Sequence, residues 1–271
     1  MSVTLSVIIV NYNGLQYLKA CLDSLKENLQ GISNEVIIVD NDSKDGSTGF
    51  IELNYPHVRL IKSNKNLGFG KANNEGAKIA TGEYLLLINN DTITLSNILP
   101  IINIFKHDPK IGAAGIKMLN GNREYVPSFG LFPNIRNMFE IKRMVTELPP
   151  EFLTGDFGKD YYEVDWLGGS FIVMPNKLYN EIGGFDEEFF MYVEDVDICK
   201  KIADKGYKRV FLPSYSYIHF VGFTTKRNPM LIKGYKIYIK KHFKGIRRML
   251  LIAALRINES VKVIKSKLDA A

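Results

Sequence analysis

Gly82-Glu83-Tyr84-Leu85-Leu86-Leu87-Ile88-Asn89-Asn90-Asp91-Thr92 is the stretch on which the rest of the chain turns. Tyr84 to Ile88 is an unbroken run of bulky apolar side chains, the pattern of a strand covered on both faces. It stops abruptly on two amides and a carboxylate, which are poor packing groups. In open α/β sheets ligands bind outside the carboxyl ends of the strands. Asp91 is therefore the first candidate to touch a metal or a phosphate, and the remaining sequence is read as what surrounds it.

Three further strand-and-helix units precede that run. Leu5 to Val10 is a β-rich apolar stretch ending in the turn Asn11-Tyr12-Asn13-Gly14, and Leu18, Cys21, Leu22, Leu25 and Leu29 then recur at helical spacing. Val36 to Val39 ends in Asp40-Asn41-Asp42-Ser43-Lys44-Asp45-Gly46-Ser47, where Ser47 or Asp45 can cap a short helix. Val58 to Ile61 runs into Asn66-Leu67-Gly68-Phe69-Gly70, which is not a dinucleotide fingerprint because residue 73 is Asn. Instead Ala72, Gly76, Ile79 and Ala80 form a small-residue face for close packing on a sheet. Four strands alternating with helices predict a three-layer α/β/α sandwich with a mostly parallel central sheet.

The second half is less regular. Leu95 to Phe105 reads as a helix, Ala113 to Met118 as a strand, and Pro127 to Tyr162 has no clean period; it is either a variable binding wall or a surface connection over a satellite apolar cluster. Trp166-Leu167-Gly168-Gly169-Ser170 feeds a strand to Pro175, followed by a helix through Ile182. After Gly183-Gly184-Phe185-Asp186, a helix follows Glu194-Asp195-Val196-Asp197 and places the first two acids at its amino terminus. Lys208 to Leu212 is a further strand, with His219 in a turn-rich stretch beyond it. From Tyr235 through Ile239, Phe243, Ile246, Leu250, Ala253, Ile257, Val261, Ile264 and Leu268 the apolar residues keep a three-or-four spacing, with a break at Gly245.

Composition sets the bounds. With 271 residues, 46% of them hydrophobic and 24% charged, the chain builds an ordinary globular core. The net charge of +6 is uneven: from Leu231 onward there are eleven Lys/Arg and two acids, so this tail carries +9 and the rest about −3. That distribution argues against a nucleic-acid-binding surface. Cys21 and Cys199 form no CxxC or metal-like spacing and fit a reducing cytoplasm. No basic residue precedes the first apolar run, so it is expected to be a strand and not a signal peptide, and no window offers about 20 apolar residues for a membrane span.

Taken in order, Leu5 to Gly14, Val39-Asp40-Asn41-Asp42-Ser43 with Asp45-Gly46-Ser47, Asn66 to Gly70 with Asn73-Asn74 and Gly76, Gly82 to Asp91, Gly168-Gly169-Ser170, Gly183 to Asp186 and Glu194-Asp195 resemble family-two glycosyltransferases with the GT-A fold, in particular the rhamnosyltransferase-like branch. The resemblance covers roughly residues 3 to 225. It implies a catalytic domain over 1–225, with a nucleotide-sugar half (1–95) and an acceptor half (96–225), and leaves 226–271 as a basic amphipathic tail. It further implies an inverting transfer of one sugar from a nucleotide-diphosphate donor to a saccharide or lipid-linked acceptor, in bacterial surface-polysaccharide synthesis.

Each role the resemblance implies suits the chemistry of the residue. Asp91 stands last in the family's Asp-x-Asp motif, and a carboxylate can hold Mg²⁺ or Mn²⁺ against a diphosphate; Asn89, where the family has its first aspartate, offers a weaker amide oxygen. His219 lies where relatives place a late histidine ligand, a structural histidine being the rival reading. Asp40 and Asp42 fit contacts to base and ribose, against a plain turn, with Asn11, Asn13, Lys71, Asn74 and Asn90 as further donor-site candidates. Asp195 is the expected catalytic base. Glu194, Gly168, Gly169 and Trp166 line the acceptor side, where Trp166 either stacks on a sugar or anchors the core. Helix capping is the alternative for the whole acidic cluster.

A nucleotidyltransferase would need a basic Gly-rich loop after the first strand, which this chain lacks. A catalytically inactive nucleotide-sugar-binding protein would have no reason to keep both Asp91 and Asp195. Processive synthases of the family carry Gln-x-x-Arg-Trp, and here Asp165 precedes the sole tryptophan. The tail can dock on an anionic membrane at its cytoplasmic face, pack on the catalytic body, or cover its apolar side in a homodimer.

Overall fold

The computed structural model describes residues 3–220 and 228–268. In chain order it runs β1 (Leu5–Asn11), α1 (Leu15–Asn28), β2 (Asn34–Asp40), α2 (Ser47–Asn54), β3 (Arg59–Lys62), α3 (Phe69–Ile79), β4 (Tyr84–Asn89), β5 (Thr92–Thr94), α4 (Leu99–His107) and β6 (Ile111–Leu119). The irregular segment holds β7 (Tyr125–Val126), β8 (Phe129–Gly130), α5 (Ile135–Met138), α6 (Arg143–Thr146), α7 (Pro150–Thr154), β9 (Tyr162–Glu163) and β10 (Trp166–Leu167). Then follow β11 (Phe171–Pro175), α8 (Asn176–Glu181), α9 (Glu194–Asp204), β12 (Lys208–His219), α10 (Asn228–His242) and α11 (Gly245–Leu268).

The main sheet has the order β3-β2-β1-β4-β11-β6-β12-β5. Its first four strands are parallel, as strands joined by helical crossovers must be. β11 then enters antiparallel to both β4 and β6, and β12 lies parallel to β6. The sheet is mixed, and it forms the centre of a three-layer α/β/α sandwich. Alternation along β4 shows why: Leu86 and Ile88 belong to one apolar cluster with Leu18, Leu25 and Phe105, while Leu85 and Leu87 belong to a second with Ala77, Leu178 and Ile202. A strand with both faces covered requires an unbroken apolar run, and Tyr84 to Ile88 supplies it. Gly76 of α3 lets that helix lie close to the sheet, since a Cβ there would come within 2.6 Å of Ile8. The free cysteines Cys21 and Cys199 are both buried.

Three expectations need correction. The helix expected from Leu95 begins at Leu99, because the Leu95 and Ile98 amides are bonded to Ser216 and Asn28 carbonyls and Asn97 caps the Leu99 amide. His219 ends β12 and does not sit in a turn, since that strand runs on past Leu212 through a bulge to pair with β5. The apolar stripe of the tail does not form one face. Tyr235 and Ile239 of α10, with Phe243 just after it, are buried in one cluster with Phe189, Val193 and Val196. After Gly245, at φ +56, the helix resumes with a different face inward: Leu251, Ala254 and Leu255 are buried, while Ile246 (76%), Leu250 (47%), Ile257 (50%) and Val261 (45%) are exposed. Thus α10 is built into the body and α11 keeps an apolar side in solvent. Ile264, Leu268 and the boundary expected between 225 and 226 lie outside the residues and side chains described.

The segment from Pro127 to Tyr162 covers an apolar cluster, as one of the two expectations had it. Phe129, Met138, Met144 and Phe152 are buried, and its short pieces are fastened to the body by Trp166 Nε1 donating to the Leu131 carbonyl (2.9 Å) and by Asp165 accepting the Phe132 amide (2.7 Å).

Candidate active site

The topology gathers one set of chain ends. β1, β2 and β4 are parallel and finish on the same edge, at Asn11, Asp40 and Asn89. β11 runs the opposite way, so its entry turn, Gly168 to Ser170, lies at that edge too, and β12 delivers His219 there. Two bonds stitch the edge together: the Asn89 amide donates to the Ser170 carbonyl (3.2 Å) and the Ser170 and Tyr217 hydroxyls meet at 2.6 Å.

On the β1/β2 side a polar network is preorganised. Asn90 Nδ2 donates to Asn11 Oδ1 (2.7 Å), and Asn11 Nδ2 donates to Asp40 Oδ1 (2.9 Å) and to Ser43 Oγ (3.1 Å). Asp40 Oδ2 accepts the Ser43 amide (3.0 Å). Asn13 and Asp42 take left-handed backbone at φ 50° and 70°, a conformation that short Asn and Asp side chains tolerate. Asn13 Oδ1 accepts the Lys44 amide (2.8 Å), and Asp42 pairs with Lys44 Nζ (2.5 Å). Gly14 is required by this packing, because a Cβ would fall 1.9 Å from Asn90 Nδ2. Asp45 does not cap α2 through its own N-cap position; it ties the amides of Leu15 (2.8 Å) and Ser47 (3.0 Å), holding α1 and α2 to one loop.

At the end of β4, Asp91 Oδ1 faces His219 Nε2 at 3.2 Å, and Asn89 Nδ2 faces the same nitrogen at 3.3 Å. Both Asp91 and His219 are largely buried, with side chains 10% and 18% exposed. Among the described residues there is no cluster of three or more His, Cys, Asp or Glu that could hold a metal by itself. The set nevertheless fits a divalent cation. An octahedral ion with oxygen or nitrogen ligands near 2.1 Å sets neighbouring ligands roughly 3 Å apart, which is the Asp91–His219 separation. A carboxylate, an imidazole and an amide oxygen leave the other positions to water or ligand phosphates.

Across the edge, α9 starts on the acids. Asp195, half-buried, accepts the Val196 amide at Oδ1 (2.8 Å) and the Gly169 amide at Oδ2 (3.2 Å). Burial raises the Asp195 carboxyl above its ordinary range against these backbone bonds. Glu194 beside it is buried, with Oε2 lacking a hydrogen-bond partner; burial first and the Asp195 charge second push its pKa well up. Two adjacent carboxyls in a dry site cannot both ionise easily. Glu194 is thus the harder of the two to ionise, and Asp195 is more basic than an exposed aspartate.

The remaining candidates make contacts of their own. Asn74 is spent on structure: its Oδ1 accepts the Tyr179 hydroxyl (2.6 Å) and the Phe185 amide (3.0 Å), and its Nδ2 donates to the Phe185 carbonyl (2.9 Å). Lys71 is paired with Glu187 at 2.5 Å. Trp166 is half-buried, donates to the Leu131 carbonyl and packs so closely that a Cβ on Gly130 would lie 2.6 Å from its ring. Gly168 donates to the Ser128 carbonyl (2.6 Å) and so fixes the turn that aims the Gly169 amide at Asp195. Sequence reasoning gave no role to Ser43 and Ser170, although both stand in the quoted motifs, and missed Tyr217, which has no motif of its own.

The fold brings to one sheet edge a polar network of Asn11, Asp40 and Asn90, the Asp91–His219 pair and the Asp195 carboxylate on the Gly169 amide. A family model described as glycosyl transferase family 2 matches residues 6–157, and the chain belongs to that family. It is a glycosyltransferase, similar over 84% of its length, at 27% identity, to the N-acetylglucosaminyl-diphospho-decaprenol L-rhamnosyltransferase of Mycobacterium tuberculosis (80% of that protein). It is also similar over 91% of its length, at 24% identity, to the rhamnosyltransferase WbbL of Escherichia coli K12 (94% of that protein). Among solved structures, GalNAc-T7 with UDP, GalNAc and Mn²⁺ superposes with a TM-score of 0.68 at 19% identity, over 88% of this chain and 48% of that one. The last likeness is one of fold. Among the described residues no helix is long and apolar enough to cross a membrane.

Proposed function

We propose that the chain transfers a single deoxyhexose, rhamnose in the first instance, with inversion, from a nucleotide-diphosphate donor to a lipid-linked saccharide of bacterial envelope polysaccharide. The observation that carries this reading is the convergence of three groups on one sheet edge: the Asn11–Asp40–Asn90 network, the Asp91–His219 pair and Asp195 on the Gly169 amide. The two rhamnosyltransferase relatives, one named for a diphospho-decaprenol acceptor, support the sugar and the lipid carrier.

In this reading Asp40, Asp42, Asn11, Asn13 and Asn90 hold the nucleoside, with Lys71 reaching the site only after leaving Glu187. Asp91 and His219, with Asn89, would hold Mg²⁺ or Mn²⁺, which would supply positive charge to the leaving diphosphate. Asp195 removes the proton from the acceptor hydroxyl as that oxygen bonds to the anomeric carbon and the bond from that carbon to the diphosphate breaks. Glu194, neutral, adds no second negative charge beside it. The exposed apolar side of α11, with Arg247, Arg248 and Arg256 nearby, suits contact with the anionic cytoplasmic leaflet where a lipid-linked acceptor resides.

Incubation with a panel of uridine, thymidine and guanosine diphosphate sugars and a diphospho-polyprenyl saccharide, with Mg²⁺, Mn²⁺ or chelator, tests the reading. The expected result is nucleoside diphosphate release that depends on acceptor and divalent cation, greatest with a deoxythymidine diphosphate deoxyhexose. Pyrophosphate release, or turnover undiminished by chelator, overturns it.

A further inference from the structure

The helix that carries the base is held by a part of the chain beyond the matched family region. Asp197, one turn into α9 and fully buried, accepts from two side chains at the end of α10: Lys241 Nζ on Oδ2 at 2.8 Å and His242 Nε2 on Oδ1 at 2.7 Å. Lys241 also reaches Asp186 Oδ2 at 2.6 Å, so one side chain joins α9 to the Gly183–Asp186 loop. Lys201 of α9 returns the link by donating to the Gly184 carbonyl at 2.7 Å. Burial opposes the Lys241 charge, yet the bonds to Asp186 and Asp197 keep its pKa above the ordinary value.

A second observation concerns the residues just before the base. Tyr192 and Val193 both have left-handed backbone, at φ 69° and 74°, and for a β-branched residue this conformation is a genuine outlier. It persists only where the surroundings over-determine it. α10 provides part of that constraint: Gly234 lies so close that a Cβ would stand 2.7 Å from the Tyr192 carbonyl and 2.8 Å from Val193 Cγ2. Tyr235, the next residue, is buried and near enough that the Asp195 charge helps raise its pKa, after burial. Strained entry, base and first-turn acid are thus all backed by one helix.

We infer that α10 is a positioning element of the active site, in which Gly234 seats the Tyr192–Val193 entry and Lys241 and His242 fix Asp197, so that Asp195 meets the Gly169 amide. The inference rests on the reading of Asp195 as base. Lys241 and His242 do not touch the reacting atoms; they act through α9. Nothing in this arrangement involves the β1, β2 or β4 edge that would hold the donor, so its loss separates binding from turnover.

The test uses the full chain with His242→Ala, Lys241→Met and the conservative His242→Gln, which keeps a donor near Asp197. Lys241 is partly exposed, and Lys241→Met leaves the His242 bond in place, so that variant retains its fold by circular dichroism. The expected result is a kcat lowered about 10- to 100-fold in His242→Ala and Lys241→Met with donor Kd unchanged. The acid limb of the pH profile also moves upward, because a base that loses the Gly169 bond holds its proton more tightly. His242→Gln restores most of the rate. Parent kcat with an unmoved acid limb in folded Lys241→Met or His242→Ala overturns the inference. Asp195→Asn, run alongside, separates the two failures: parent activity in that variant sinks the base assignment itself, whereas its inactivity with unaffected α10 variants sinks the positioning role alone.

Discussion

Replacing Asp195 by asparagine exchanges one carboxylate oxygen for an amide nitrogen and changes little else. The Val196 amide keeps its acceptor at Oδ1, but the Gly169 amide, 3.2 Å from Oδ2 in the parent, faces a second N–H donor. Losing that bond costs about 1–3 kcal/mol, and removing a carboxylate whose ionisation burial already disfavours offsets part of it. Fold stability is therefore expected to change by no more than about 1–2 kcal/mol in either direction. Turnover loses a general base, worth about 10²- to 10⁴-fold, or about 3–5 kcal/mol of barrier. In the parent, kcat falls as pH drops through the raised Asp195 pKa, because the protonated form cannot accept the acceptor's proton. Nucleoside diphosphate release at saturating donor, from pH 4.5 to 9, with donor affinity by calorimetry, measures all three quantities. A variant that retains the parent rate, or that keeps the same acid limb, refutes the assignment; one that loses donor binding as well shows that the effect is structural.

Two further outcomes are expected. Glu194 has a carboxyl held well above its ordinary 4.5 in the folded chain, so its contribution to stability is fully present below about pH 4.5 and is lost as pH rises through the folded value; Glu194→Gln should flatten this decline in urea midpoints between pH 5 and 9, and an unchanged slope would mean that the buried proton is elsewhere. Replacing Ile246, Leu250 and Ile257 together by serine should lower flotation with anionic vesicles at least tenfold while leaving donor hydrolysis intact, and equal flotation of both proteins would assign the exposed face of α11 to another partner.

The donor half was legible because its signals are local. A strand covered on both faces must be apolar throughout, and Tyr84 to Ile88, Leu5 to Val10 and Val36 to Val39 declare themselves by that alone, as do the turn residues that close them. Asp40 and Asp91 stood out as candidates because each closes such a strand, whereas Asp195, in the first turn of α9, stood out through the family resemblance. What escaped depended on contacts distant in sequence. Asn74 carries the same amide as Asn11, and only the proximity of Phe185 and Tyr179 shows that it is spent. The tail's periodicity continued across Gly245 without a flaw, yet a single residue at φ +56 rotated the buried face, so Ile246 and Ile257 fell outside and Leu251 and Leu255 inside. Spacing reports that a helix is amphipathic; it does not report which neighbour arrives first.

The antiparallel entry of β11 has one more consequence. Because β6 runs parallel to β4 and β11 against them, the chain leaves the sheet at Leu119 and returns at Phe171 on the same edge. Everything between is an excursion that starts and finishes beside the crevice and contributes only short outer strands to the sheet. Such an excursion is a replaceable cassette: it can be lengthened, shortened or exchanged between relatives while the nucleotide-side framework stays as it is. On the proposed reading, in which this excursion lines the acceptor side, exchanging residues 120–167 with those of a relative is expected to change acceptor preference and to leave donor preference in place.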